Sequence, residues 1–209
     1  MIVRAHRTWW IGFLPVLAAA PALAEPAEFD FKDPKGVNAV AFTLDSLLEP
    51  FTGVAAGITG KVKFDPANPQ ATTGAIAVAT KSLYLDNKGM KETMYGPDWL
   101  DAQKNPNIEF TVKKVSDSKK TGDNVFEMTV VGDMTCKGVT KEITVPVKAT
   151  YLPGKLSERS GKMNGDLLVL RSHFTIKRKD FGIKPDMTDK VVAEDIEIRV
   201  SIAGHHAKK

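Results

Sequence analysis

The chain has 209 residues, 29 of them basic and 25 acidic, and a single cysteine. That length supports one well-filled core. Charges of both signs are interspersed, which excludes the dense basic face that nucleic acid requires. One cysteine excludes an internal disulfide, so stability must come from packing.

In chain order, the first segment reads as a targeting signal. Arg4 and Arg7 precede an apolar run from Trp9 to Leu17, and Ala22-Leu23-Ala24 forms a small-x-small cleavage box. This pattern predicts a secretory signal peptide over residues 1–24, cleaved after Ala24. The apolar run is too short, and too soon followed by proline and polar residues, to span a bilayer. Residues 25–203 are then expected to form one domain. The tail "GHHAKK" (204–209) is expected to be disordered.

Period-two alternation dominates the mature region. "AVAFTL" places Val40, Phe42 and Leu44 on one face, and "ITGKVKFD" does the same for Ile58, Val62 and Phe64. Ile76 and Val78 follow in "GAIAVATK", and Ile108, Phe110 and Val112 in "IEFTVKKV". Phe126, Met128 and Val130 lead into a hairpin turning at Lys137-Gly138, with Met134 and Cys136 before the turn and Val139, Ile143, Val145 and Val147 after it. Leu168, Leu170, Phe174 and Ile176 mark a further strand, and Ile196, Ile198, Val200 and Ile202 the last. The opposite faces are polar. About eight strands, each apolar on one side, are the antiparallel signature.

One segment breaks the period. Asn87–Asn105 reads as helical, with Met90 and Met94 at i, i+4 and Tyr95 beside them. Pro97-Asp98 predicts a second short helix holding Trp99 and Leu100. "DPANPQ" and "KLSERSGKMNG" are turn-rich connections. The fold class expected is therefore mainly β: an eight-stranded antiparallel barrel with a short helical insertion, since closure removes exposed sheet edges. A barrel of that size is either packed solid or holds one small apolar ligand, and alternation alone leaves the two open.

Enzymatic machinery is not indicated. His173 is the only imidazole outside the signal region and tail, and alternation turns it to solvent. Cys136 has no evident basic partner, and no nucleophile elbow or phosphate-cradling glycine loop occurs. His205 and His206 are adjacent rather than spaced as metal ligands, so neither metal nor cofactor is expected.

Five stretches together resemble the YceI-like family of bacterial periplasmic lipid-binding proteins. They are "VAFTLDSL" (40–47), "GKVKFDPANPQATTGAIAVA" (60–79), "DWLDAQKNPNIEFTVKKV" (98–115), "VVGDMTCKGVTKEITVPV" (130–147) and "KRKDFGI" (177–183). The resemblance implies a lipocalin-like barrel in the periplasm. It also implies an internal apolar tunnel holding a polyisoprenoid, quinone-like molecule or another long-chain lipid. The expected lining comprises Phe42, Val62, Phe64, Ile76, Val78 and Phe110 in the first half of the chain. In the second half it comprises Val112, Phe126, Met128, Val130, Met134, Ile143 and Val145, then Leu168, Leu170, Phe174, Ile176 and Ile198. Lys91, Glu92, Tyr95 and Asp98 are the candidates for polar contacts at the mouth, with Met90, Met94 and Trp99 as lids. Two departures from the family pattern stand out. Ser46 follows Asp45 where a histidine is common, and "KETMY" (91–95) lacks the histidine of the family's insertion. Transient contact with a membrane or membrane protein, and a homodimer, are partners consistent with such a role. The competing reading is a secreted module without ligand that docks a partner through its insertion or outer wall.

Overall fold

A computed structural model describes residues 26–208. The expected signal peptide therefore lies outside the described residues. One antiparallel sheet contains every strand among the described residues. In chain order these are β1 (Ala27–Asp30), β2 (Ala39–Leu44), β3 (Phe51–Ala55), β4 (Ile58–Phe64), β5 (Thr73–Ala79) and β6 (Leu83–Tyr84). The longer β7 (Asn107–Gly122), β8 (Val125–Cys136), β9 (Val139–Leu152), β10 (Gly165–Lys177) and β11 (Asp195–Ala207) follow.

The eleven segments make eight barrel strands. β1 and β2 both run antiparallel to β11, with Asp30 opposite His205 and Phe42 opposite Ile198. They are halves of one strand interrupted by an excursion over 31–38. β3 and β4 likewise continue each other, β3 pairing with β2 and β4 with β1. β5 leads on into β6. The ring closes where β1 pairs with both β4 and β11, which leaves no long free edge across that seam.

The 31–38 excursion is tied down locally. The Asp33 carboxylate accepts from the amides of Val37 and Asn38, each at 2.8 Å, and lies 3.0 Å from the Arg159 guanidinium. Buried Asn38 donates to the carbonyls of Phe31 and Ala203 and accepts from the Ala203 amide. A buried side-chain amide with these partners satisfied locks the two half-strands against β11.

The hairpin turns follow their residues. Lys137 and Gly138 both adopt positive φ, 50° and 75°, as a two-residue primed turn requires. Pro146 sits inside β9 without an N–H to donate. The β9–β10 ladder ends beside it, at Val147 opposite Ser172, while β8–β9 pairing runs the whole length.

Several expectations need correction. The tail is a strand through Ala207: β11 pairs residue for residue with β10 as far as Gly165 opposite Ala207. Backbone pairing orders it, without apolar periodicity, and Gly204 there leaves room for the Phe31 ring. Helix α1 (Lys88–Tyr95) forms, capped by the Asn87 side chain accepting from the Met90 amide. The second helix expected at Pro97 is instead a series of hydrogen-bonded turns, with Leu100 and Ala102 amides returning to the carbonyls of Met94 and Tyr95. A further helix, α2 (Leu156–Ser160), lies within the connection read as turn-rich. β1, β3 and β6 escaped notice because half-strands of two to five residues are too short to show a period.

Two apolar clusters fill the barrel ends. One gathers Phe29, Phe31, Phe64, Phe126, Ala149 and Leu168. The other gathers Leu44, Leu85, Met94, Leu100, Cys136 and Phe181. Val40, Val78, Phe110, Phe174 and Val200, only partly buried, touch both. The space between the clusters is the candidate site.

Candidate functional site

Successive side chains of a strand point to opposite faces, and in a closed barrel one face is the lumen. The lumen holds a cavity of about 230 Å³. Of the expected lining, Phe42, Val62, Phe64, Ile76, Val78, Phe110 and Val112 stand on its wall from the first half of the chain. Met128, Val130, Met134, Val145, Leu168, Leu170, Phe174, Ile176 and Ile198 complete the set. Two do not. Phe126 is buried in the end cluster, edge-on to Phe64 with ring centroids 5.5 Å apart. Ile143 packs against both clusters from the stretch of β9 that pairs with β8 but not with β10.

Other wall residues were not anticipated. Phe51, Ala55 and Leu83 come from the short segments β3 and β6. Ile183 comes from the loop after β10, and Leu100 from the turns of the insertion. Val40, Leu44, Ile108, Val147, Ile196, Val200 and Ile202 share faces with expected residues, so the alternation already carried the signal for them.

Two glycines shape the lumen. Gly53 lies opposite Phe42, and a Cβ there would stand 2.2 Å from the ring's Cζ. At Gly132 a Cβ would stand 2.5 Å from Cζ of Phe110. Each ring therefore lies over a neighbouring strand where no side chain intervenes. The rings pave the wall and do not cross the cavity.

The wall is almost wholly apolar. Thr72 and Ser172 contribute hydroxyls, but each donates to a nearby carbonyl, Pro69 at 2.6 Å and Pro146 at 2.5 Å. Glu109 reaches the wall only from an exposed position. Cys136 is on the wall and buried, and burial pushes its thiol up to about 12. A thiol so poised is neutral at physiological pH and a poor nucleophile.

The insertion covers one end of the barrel, through Met94 and Trp99 on the cavity wall together with Leu83 and Leu100. The polar candidates at the mouth lie elsewhere. Lys91 Nζ sits 5.3 Å from the Tyr84 ring centroid, a cation–π contact outside the lumen. Tyr95 donates its hydroxyl to the carbonyls of Lys81 and Leu83. Asp98 pairs with Lys184 at 3.0 Å, Glu92 is exposed, and Met90 packs against the cluster from outside the wall. Lys91, Tyr95, Asp98 and Met90 fasten the insertion, and none of these side chains is on the cavity wall.

Further fastenings come from residues that sequence reading passed over. Lys137 Nζ donates to the carbonyls of Asp98 at 2.8 Å and Gly182 at 2.6 Å, joining hairpin, insertion and the loop after β10. Fully buried Arg178, in the "KRKDFGI" stretch, donates to the carbonyls of Ile183, Lys184, Met187, Val192 and Ala193 and to the Asp189 carboxylate. One guanidinium thus organises the 183–193 loop against the barrel end. Ser46, one of the two departures noted in the sequence, is buried and accepts from the Ala193 amide at 2.7 Å.

His173 lies on the outer wall, 3.6 Å from Glu197. His205 and His206 lie in β11, His206 Nδ1 being 3.0 Å from the Glu28 carbonyl. Among the described residues no three His, Cys, Asp or Glu side chains converge, and no helix is long and apolar enough to cross a membrane. What this arrangement can do chemically is enclose an apolar chain.

Comparison with known proteins agrees with the geometry. The YceI-like domain matches residues 33–203. A UPF0312 protein of Pseudomonas fluorescens is 30% identical over 195 residues, covering 92% of this chain and 93% of its own. Protein YceI of Escherichia coli O157:H7 is 27% identical over 156 residues, covering 75% and 74%. Among solved structures, Burkholderia cenocepacia BcnA superposes with a TM-score of 0.61 at 25% identity, over 79% of this chain and 95% of that one. A polyisoprenoid binding domain from Saccharophagus degradans shares the fold at 8% identity, with a TM-score of 0.60 over 87% and 99%. The chain belongs to the YceI-like family.

Proposed function

We propose that the protein is a periplasmic carrier that holds a polyisoprenoid, quinone-like molecule or other long-chain apolar lipid in the barrel lumen, without catalysing a reaction on it. The observation that carries this reading is the continuous apolar cavity inside a closed barrel, whose hydroxyls are already bonded to backbone carbonyls. The polyisoprenoid binding of a protein sharing the fold supports the same ligand class.

The driving force is removal of chain from water, about 0.8 kcal/mol per methylene. A lipid leaving a membrane has already gained most of that. The protein's contribution is therefore a dry container with a slow aqueous leak, and discrimination rests on shape, because among the described residues the only charged side chain at the wall is the exposed Glu109. The test is titration of the purified protein with an environment-sensitive apolar dye, followed by competition with prenyl quinones and fatty acids of graded length. Saturable one-site uptake, displaced better as the chain lengthens, is expected. Failure of every long-chain lipid to displace the dye counts against the reading.

A further inference from the structure

The loop between β2 and β3 carries two leucines that the fold leaves in water. Leu47 is 77% exposed, the highest value of any large apolar side chain among the described residues, and Leu48 is 64% exposed. The loop itself is held firmly. Buried Ser46 accepts from the Ala193 amide, and the Leu48 amide donates to the Lys190 carbonyl at 3.1 Å. The leucines are thus displayed on a braced turn.

Their position gives the display a purpose. Leu44 and Phe51, paired across the base of the same hairpin, stand on the cavity wall. The hairpin whose base lines the lumen therefore carries the two leucines at its tip, with Asp45 and Ser46 on one side and Glu49 and Pro50 on the other. The charged residues nearest the leucines in sequence are Asp45 and Glu49, and Lys190 is the neighbour across the loop contact. Such a mixed tip has no basic cluster with which to seek anionic headgroups. Its attraction to a surface has to come from the leucines.

We infer that Leu47 and Leu48 form a membrane-contact tip that enters the headgroup boundary of a lipid bilayer while cargo passes between bilayer and lumen. This rests on the carrier reading for its cargo, but contact with the bilayer can be measured without any. Two leucines give only marginal, reversible attachment, comparable to a single weak lipid anchor. A carrier that must leave the membrane again needs attachment of that kind. Because apolar burial drives it, contact occurs on neutral lipid and is insensitive to salt.

Two readouts test this, both on the mature protein. In Leu47→Trp, the emission remaining after subtraction of the wild-type signal from Trp99, recorded under the same conditions, is expected to shift to the blue on addition of phosphatidylcholine vesicles, equally at low and high salt. In Leu47→Ser/Leu48→Ser, uptake of a fluorescent prenyl lipid from those vesicles is expected to slow about tenfold or more, while equilibrium uptake from detergent micelles and the melting temperature match the wild type. No blue shift together with unchanged uptake from vesicles would overturn the proposal and point to a protein partner at the tip. A blue shift in a protein that takes up no lipid from micelles would keep the membrane contact and sink the carrier reading instead.

Discussion

Replacing Val130 by tryptophan separates a hollow barrel from a solid one. Val130 sits on β8, buried and on the cavity wall. The indole brings about seven more heavy atoms than the isopropyl group. If each displaces one ligand methylene at about 0.8 kcal/mol, the ligand loses up to roughly 5–6 kcal/mol of apolar burial. Lipid drawn from micelles or vesicles gains only a fraction of that, so the expected effect is at least a tenfold loss of affinity, ~1.4 kcal/mol. The host should barely notice, because the indole enters existing space in a cavity of about 230 Å³. A solid core would respond the other way, losing about 1–3 kcal/mol of stability to overpacking. Denaturant unfolding and the dye-competition assay, run side by side, read both quantities. Unchanged lipid uptake with a clear loss of stability would refute the reasoning. Met128→Trp, on the same face of the same strand, should behave alike.

Other consequences follow from the fastenings and the thiol. Arg178→Met takes a donor from the carbonyls of Ile183, Lys184, Met187, Val192 and Ala193, of which Lys184 keeps the Met187 amide. Unsatisfied buried carbonyls at about 1–3 kcal/mol each put the cost at several kcal/mol and should open the 183–193 loop to protease, and a loss under about 1 kcal/mol would mean that water replaces the guanidinium. Cys136, with its thiol pushed up to about 12, should resist iodoacetamide at pH 8 in the folded protein and react fully once unfolded. The unfolded thiol ionises near 9.0 and the folded one near about 12. The Cys136 contribution to stability is therefore whole below pH 9.0 and declines between those values, by up to ~1.4 kcal/mol per pH unit. Denaturant midpoints across that range should fall less steeply in Cys136→Ala. Deleting residues 204–209 removes the pairing of His205 with Asp30 and of Gly165 with Ala207. It should lower the melting temperature measurably, whereas a free tail would leave it unchanged.

The inward faces of the long strands were legible because burial on one side forces period two. Nearly every wall residue from β7 to β11 lies on a face that alternation marks out. The half-strands β1, β3 and β6 were not legible, since their place in the barrel comes from continuing a neighbour and not from a pattern of their own. β11 ran past its last isoleucine for a similar reason: Gly204 to Ala207 are ordered by backbone bonds to β10 and β1, which leave no mark in side-chain polarity. The insertion was visible as a break in period; of its three expected lids, Met94 and Trp99 stand on the wall and Met90 does not. The fates of Lys91, Tyr95 and Asp98 were not. Their partners are an aromatic face, carbonyls and a lysine brought together only by folding. Arg178 and Lys137 illustrate the limit best, because a cation that binds backbone carbonyls selects no side-chain type for a reader to find.

The central claim is that the lumen carries a long apolar lipid, and native mass spectrometry of the protein purified from the cells that make it tests it most directly, followed by organic extraction and identification of what is released. The account predicts a stoichiometric adduct whose mass corresponds to a prenyl or acyl chain, absent after extraction and much reduced in Val130→Trp. A clean protein mass, with no adduct after incubation with prenyl quinones or other long-chain lipids, would contradict it.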